Sequence, residues 1–265
     1  MTATTCEEIH GRRTLRVIVA ALVLLGLCAA IVLAGASADR ATAARAKTLG
    51  KTKDTPASYC PKPRDFCESV GRVTGFQVKA AGEKNPFVVP RSGRLVAWSL
   101  DLTARPDKVE RKFFGKLYGH KPFGATPTAR LAVLTKRKGK KFRLRSQSPV
   151  VQLGEHLGQK PIFTLGRPLR VAKGDIVALT MPTWMSAFSV CSARPRGGGC
   201  RGLSRKQNKW RASRRGDRCE LGNDNAAEKE ALRKSRPHEQ EGTSRPYGCT
   251  YQSARLLYWA YYQSG

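Results

Sequence analysis

The alternation of apolar and polar residues in short segments is the feature that most constrains the fold of this chain. In GRLVAWSLDLT (Gly93–Thr103), one face of the expected strand carries Val96 and Trp98, and the other face carries Asp101. Other segments with strand character are Arg72–Ala80, Thr128–Thr135, Phe142–Ser148, Pro161–Leu165, Leu169–Ala172, Ile176–Met181 and Ala254–Tyr262. Short strands separated by Gly and Pro turns predict a mainly β fold, an antiparallel β-sandwich of jelly-roll type.

The N-terminal region has the organisation of an export signal or a membrane anchor. Residues 17–38 carry no charge, and Ala36-Ser37-Ala38 resembles a cleavage site. A run of this length also spans a bilayer, so residues 1–38 are predicted to be a signal peptide or a single membrane-spanning hydrophobic helix. Residues 39–59 lack a strong apolar pattern and predict a flexible basic tether, and residues 60–265 predict the β-sandwich domain.

Six cysteines follow the apolar run, and their even number in a chain with an export signal predicts disulfides. They are Cys60, Cys67, Cys191, Cys200, Cys219 and Cys249. The simplest pairing joins them in chain order, although other pairings stay open, and the wide spacing disfavours a zinc site. The loop between the last two contains the best helical segment, Asp224–Lys234, with acids in its first turn and bases in its last.

The orientation of the chain relative to the membrane has two interpretations. The cysteines and the cleavage site favour a secreted or single-pass membrane protein whose C-terminal domain lies outside the cytoplasm. The basic residues that follow the apolar run favour the opposite orientation under the positive-inside rule. We expect export, with the membrane as a partner through residues 17–38 if the segment is not cleaved.

Three strings give the chain a resemblance to known proteins. VTGFQVKAAGEKNPFVVP, GRLVAWSLDL and LRVAKGDIVALTMPTW resemble segments of exported β-sandwich proteins of high-GC Gram-positive bacteria, a group with no assigned function. The resemblance extends from about Val70 to the C-terminus. It implies export and a sandwich domain, and it brings no catalytic residue.

The sequence contains no motif that predicts an enzyme, a cofactor or a metal site. The histidines after the apolar run (His120, His156 and His238) lack paired metal-ligand spacing. Asp101 and Glu155 are carboxylates of the kind that glycosidases use, but nothing marks them as a pair, and the alternation predicts that Asp101 is a surface residue.

The charge distribution gives the main functional hypothesis. The formal net charge is +30, and clustered cations attract polyanions. Two basic segments, residues 136–145 and residues 205–215, supply the candidate polyanion-binding residues. These are Lys136, Arg137, Lys138, Lys140, Lys141, Arg143, Arg145, Arg211, Arg214 and Arg215. Trp184 and Trp210 are candidates for stacking on a sugar or a base. The alternatives are a solvated hairpin that protects a sheet edge, and tryptophans that close the ends of a sandwich.

Three functional classes follow. The favoured one is an exported surface module that binds anionic polymers or glycans, such as cell-wall polymers. The alternatives are a secreted hydrolase of a wall polymer and a membrane-tethered cytosolic nucleic-acid binder.

Overall fold

The computed structural model describes residues 46–60, 67–190, 204, 206–216, 219 and 234–265. The strands are β1 Lys47–Leu49, β2 Val70–Ala80, β3 Glu83–Lys84, β4 Gly93–Leu100, β5 Thr128–Lys136, β6 Lys141–Gln147, β7 Val151–Gln152, β8 Ile162–Val171, β9 Ile176–Met185, β10 Phe188–Val190, β11 Lys209–Ala212, β12 Ser244–Pro246, β13 Cys249–Gln252, β14 Ala254–Leu256 and β15 Tyr258–Ser264. Helix α1 covers Lys108–Tyr118, and Gly154–His156 forms a 3-10 turn. The prediction of a mainly β, antiparallel fold is confirmed.

Within the described part of the chain, the strands form three sheets. The largest has the order β12-β6-β5-β9-β2-β11-β13, with β3 added on β2 and β7 on β5. Its two terminal strands are consecutive in the chain and are separated only by Tyr247 and Gly248. The path of this sheet therefore returns to its starting edge. The second sheet has the order β1-β15-β4-β8, and β10 pairs with β14 in the third.

Both faces of the largest sheet are buried at its central strands β5 and β9. On β5, Leu131 and Val133 belong to a cluster that includes Trp98 and Tyr258 of the second sheet, and the Tyr258 hydroxyl donates a 3.0 Å hydrogen bond to the carbonyl of Val177 on β9. Leu134, on the opposite face of β5, belongs to a separate cluster enclosed by the returning sheet. All ten residues of β9 are buried, as expected for a strand that is covered on both sides.

Strand β4 differs from simple alternation at one point. A register shift relative to β8 lies between Leu95 and Ala97, so Leu95 and Trp98 are both fully buried and Val96 is only half-buried. A β-bulge changes which face later residues occupy. The prediction was right for Trp98 and wrong for Val96.

Asp101 is also placed differently from the prediction, because it is buried. Its Oδ1 accepts hydrogen bonds from the Thr103 amide (3.1 Å) and hydroxyl (2.7 Å), and its Oδ2 lies 3.1 Å from Lys160 Nζ. Glu155 is exposed in the 3-10 turn. The structure gives Asp101 the role of ordering the end of β4.

Part of the expected tether belongs to the fold. Lys47–Leu49 pairs antiparallel with β15, and Leu49 is buried. Beyond it, the buried guanidinium of Arg255 donates to the carbonyl of Asp54 (2.6 Å) and to the hydroxyl of Thr52 (2.7 Å). Backbone pairing and a buried arginine hold this polar segment, and neither contact has a local sequence signal.

Helix α1 was missed by sequence patterning. Asp107 caps its N-terminus in a capping box, in which the Asp107 side chain accepts from the Glu110 amide and the Glu110 side chain accepts from the Asp107 amide. Glu110 also accepts a 2.6 Å hydrogen bond from the Cys67 amide. Because Glu110 lies on the buried side, the apolar face is interrupted, and the Asp-x-x-Glu spacing was the available signal.

The cysteines that the structure describes form two disulfides, Cys60–Cys67 and Cys219–Cys249. Both join cysteines that are neighbours in the series. Cys191 and Cys200 lie outside the described residues, as does the predicted helix Asp224–Lys234 except for Lys234.

No helix within the described residues is long and apolar enough to cross a membrane. The hydrophobic segment 17–38 is not among those residues.

Candidate anion-binding surface

The hairpin between β5 and β6 presents the densest group of exposed cations. Gly139 has a φ of +66°, and the Arg137 amide donates to the Lys141 carbonyl at 2.9 Å, which closes the turn. The exposed cations of this turn are Lys136, Arg137, Lys138, Lys140 and Lys141. None of them forms a salt bridge within the part of the chain that the structure describes. Their charges therefore add in the surrounding solvent.

The alternation of β6 explains why the hairpin points its charges outward. Phe142 and Leu144 are buried in the cluster enclosed by the returning sheet, while Lys141 and Arg143 are exposed. The Phe142 ring lies 5.2 Å from that of Phe76 and 5.0 Å from that of Tyr247, both in edge-on geometry. These aromatic contacts fix the register of β6, because a shift by one residue would move its cations into the core.

Arg143 and Arg145 are more constrained than the cations of the turn. Arg143 Nε donates to the Gly242 carbonyl at 3.1 Å. Arg145 Nη1 lies 2.7 Å from Oδ2 of buried Asp175. The other oxygen of this carboxylate, Oδ1, accepts a 2.7 Å hydrogen bond from the Thr135 hydroxyl. Arg145 therefore balances a buried carboxylate, and its charge contributes less to the surface.

The junction between β12 and β13 brings the second cationic segment to the hairpin. The Tyr247 amide donates to the Lys140 carbonyl at 2.8 Å, and the next amide, that of Gly248, donates to the Arg214 carbonyl at 2.8 Å. Consecutive amides are at most about 3.6 Å apart, so the two carbonyl oxygens lie within about 9 Å of each other. Exposed Arg215 follows directly.

Gly248 makes this close approach possible. A Cβ atom at this position would lie 2.6 Å from the Gly216 nitrogen and 3.0 Å from the Arg214 carbonyl oxygen. These separations are shorter than van der Waals contact, so a side chain here would push the two segments apart.

The remaining candidates of the second segment are not at the surface. Trp210 is 2% exposed, and its ring stacks on Tyr251 with centroids 4.6 Å apart. Arg214 is 5% exposed and donates from Nη1 to the Tyr251 hydroxyl (2.8 Å) and from Nη2 to the Gly71 carbonyl (3.2 Å). Arg211 is half-buried. Trp210 and Arg214 are therefore not available for binding, because both side chains are buried.

Trp184 is not available for binding for the same reason. It is 1% exposed, its Nε1 donates to the Ala125 carbonyl at 2.7 Å, and its ring lies 5.1 Å from that of Phe114 in helix α1. The strand β9 continues through this residue to Met185, whereas the segment with strand character in the sequence ended at Met181.

The histidines form no cluster with other possible metal ligands among the described residues. His238 is fully buried, with Nδ1 3.2 Å from the Tyr247 hydroxyl and Nε2 3.0 Å from the Thr243 hydroxyl. Burial, and then the charge of Arg245, lowers the pKa of His238 to about 4. His238 therefore supports Tyr247, the residue that joins the hairpin to the second segment.

Comparison with known proteins gives no relative for this site. No protein-family model matches the chain, and neither a curated protein nor a solved structure matches it significantly.

Proposed function

We propose that the protein is an exported or membrane-anchored module that binds anionic polymers at the cell surface. The binding face, here called the cationic surface, consists of Lys136, Arg137, Lys138, Lys140, Lys141, Arg143 and Arg215. The observation that carries the proposal is the pair of consecutive amides of Tyr247 and Gly248, which holds the backbones of the two cationic segments side by side.

The physical basis is the release of counterions from a polyanion. Each cation that neutralises a phosphate or sulfate releases condensed ions, so a cluster of cations that contact one polymer gains affinity from each contact. The cations of the turn form no salt bridge with described residues and have ordered backbones, which suits a polymer without a required sequence.

The choice of partner follows from the compartment. Two disulfides in a small β domain are typical of oxidising surroundings, and Ala36-Ser37-Ala38 is consistent with export. The accessible polyanions are then cell-wall phosphate polymers, acidic glycans and extracellular DNA. We also propose that the two larger sheets form a sandwich of the jelly-roll kind, supported by the cluster that they share.

The binding test compares two variants of equal charge. In the hairpin variant, Arg137, Lys138, Lys140 and Lys141 are changed to Gln. In the control, four exposed cations elsewhere are changed to Gln. They are Arg94 of β4, Arg167 and Arg170 of β8, and Lys173 of the turn that follows β8. Binding of inorganic polyphosphate is measured against salt concentration.

We expect the hairpin variant to lose the larger part of the salt dependence. Each lost phosphate contact lowers the slope of log K against log salt by about 0.7 to 0.9. Equal losses of slope and affinity in the two variants would mean that only total charge matters, and the proposed surface would be rejected.

Export is tested separately by counting thiols on protein from intact cells. We expect Cys60, Cys67, Cys219 and Cys249 to resist alkylation until a reductant is added. Free thiols at all four positions would reject export and favour the cytosolic nucleic-acid binder.

A further inference from the structure

Strand β2 contains an unusual arginine at a break in its pairing. The register between β2 and β9 shifts between Gly71 and Val73, and Arg72 lies at the shift with a φ of +49°. Left-handed backbone is costly for a residue with a side chain and is normally left to glycine. Bulges of this kind redirect a side chain and occur often beside functional sites.

The side chain of Arg72 is held in place without a carboxylate. The residue is 5% exposed, its Nε donates to the Ser235 carbonyl at 3.2 Å, and its Nη1 donates to the Gly119 carbonyl at 3.3 Å. Within the described residues, Arg72 forms no salt bridge and its Nη2 makes no hydrogen bond. Two carbonyl contacts orient the guanidinium, and no carboxylate among the described residues pairs with its positive charge.

The two carbonyls bring further positive groups to Arg72. Gly119 precedes exposed His120, and Ser235 precedes exposed Arg236. Desolvation, then Arg72 and Arg236, lower the pKa of His120, whereas Glu239 acts in the opposite direction. Glu239 is itself engaged by Arg130, with 2.9 Å between Nη2 and Oε1. Positive groups thus lie around the Arg72 guanidinium, because the two carbonyls that hold it belong to the residues before His120 and Arg236.

We propose that Arg72, His120 and Arg236 form a binding site for a phosphate-type oxyanion, distinct from the cationic surface. A guanidinium with a fixed plane and a free nitrogen suits a tetrahedral oxyanion, and an imidazole beside it adds a second donor. The site shares no residue with the cationic surface, so either can exist without the other. The ligand is free phosphate or the phosphoryl group of a larger molecule.

The first test uses the unmodified protein. The titration of the His120 ring is followed by NMR in chloride and in inorganic phosphate at equal ionic strength, with the resonance assigned by His120→Gln. A bound phosphate adds negative charge beside the ring and favours the imidazolium, so we expect the pKa of His120 to rise in phosphate. An unchanged titration would overturn the proposal.

The second test removes the central arginine. In Arg72→Gly, glycine adopts the positive φ without strain, so we expect the variant to fold and the effect of phosphate on His120 to disappear. Arg72→Gln, which keeps a side chain of similar length, should give the same loss. Arg170→Gln, at an exposed position of β8, is the control and should keep the full effect. A phosphate effect that persists in a folded Arg72 variant would overturn the proposal.

The third test distinguishes the two sources of the anion. Glycerol 3-phosphate replaces inorganic phosphate in the same titration. A larger effect of the ester supports a phosphoryl group on a larger ligand, and a larger effect of inorganic phosphate supports the free anion. If neither changes the titration, the site does not bind oxyanions.

Discussion

The hairpin segment 136–145 and the segment 205–215 have similar sequences and different structures. The first has seven basic residues in ten, and the second has six in eleven with a tryptophan among them. In the hairpin, the cations of the turn are exposed, whereas Trp210 and Arg214 of the second segment are buried. The density of charge in a sequence therefore does not decide whether the charges reach solvent.

Position in the sheet explains the difference. The hairpin reverses direction at Gly139, and the side chains of the cations in its turn are exposed. Strand β11 lies between β2 and β13, and one side of it faces the shared core of the two larger sheets. An internal strand in a sheet that is covered on that face must bury half of its side chains, whatever their type.

The largest expected effect comes from Trp210→Ala. The ring is buried against Tyr251 and against the backbone of Gly75, so its removal leaves a cavity and should lower the free energy of unfolding by about 3 to 5 kcal/mol. Urea denaturation with the disulfides intact measures this loss. A loss below about 0.5 kcal/mol would mean that the ring lies at the surface, and Trp210 would again be a candidate for stacking on a ligand.

Arg214 and Arg143 provide a matched pair of arginines from the two segments. Arg214→Ala removes the buried hydrogen bonds to the Gly71 carbonyl and the Tyr251 hydroxyl and should cost about 2 to 4 kcal/mol. Arg143→Ala, on the outer face of β6, should change stability by no more than about 0.5 kcal/mol. Equal losses in the same denaturation experiment would contradict the contrast between the segments.

The junction between the segments should weaken in acid. The pKa of His238 is about 4 in the folded protein against an ordinary value of 6.5, so the unfolded chain binds more protons between these values. The free energy of unfolding should therefore fall by roughly 1 to 3 kcal/mol as the pH falls through this range. It should not fall further from this cause below the folded pKa.

Two measurements connect that loss to the junction. In His238→Gln, the part of the pH dependence that belongs to the imidazole should disappear, although carboxylates still contribute. Amide protection factors at Tyr247 and Gly248 should fall in acid more than those of β9. If the protection factors at Tyr247 and Gly248 do not fall more, His238 stabilises the cluster enclosed by the returning sheet without holding the hairpin to the second segment.

Sequence patterning identified the features that depend on local order. Short segments with strand character, bounded by turn residues, located β2, β4, β5, β6 and β9, because these signals lie within a few residues of one another. The faces of β6 are also readable in the sequence, where Phe142 and Leu144 alternate with Lys141 and Arg143, and the structure buries the first pair and exposes the second. Spacing along the chain suggested the pairs Cys60–Cys67 and Cys219–Cys249.

Only the tertiary structure decided the features that depend on distant partners. The bulge at Arg72, the burial of Trp210 and Arg214, and the pairing of Lys47–Leu49 with β15 each require a strand that is remote in sequence. The meeting of Lys140 and Arg214 at Tyr247–Gly248 requires the largest sheet to return to its own edge. A local pattern reports which residues share a face, but covering that face is a property of the whole chain, because it depends on which other elements pack there.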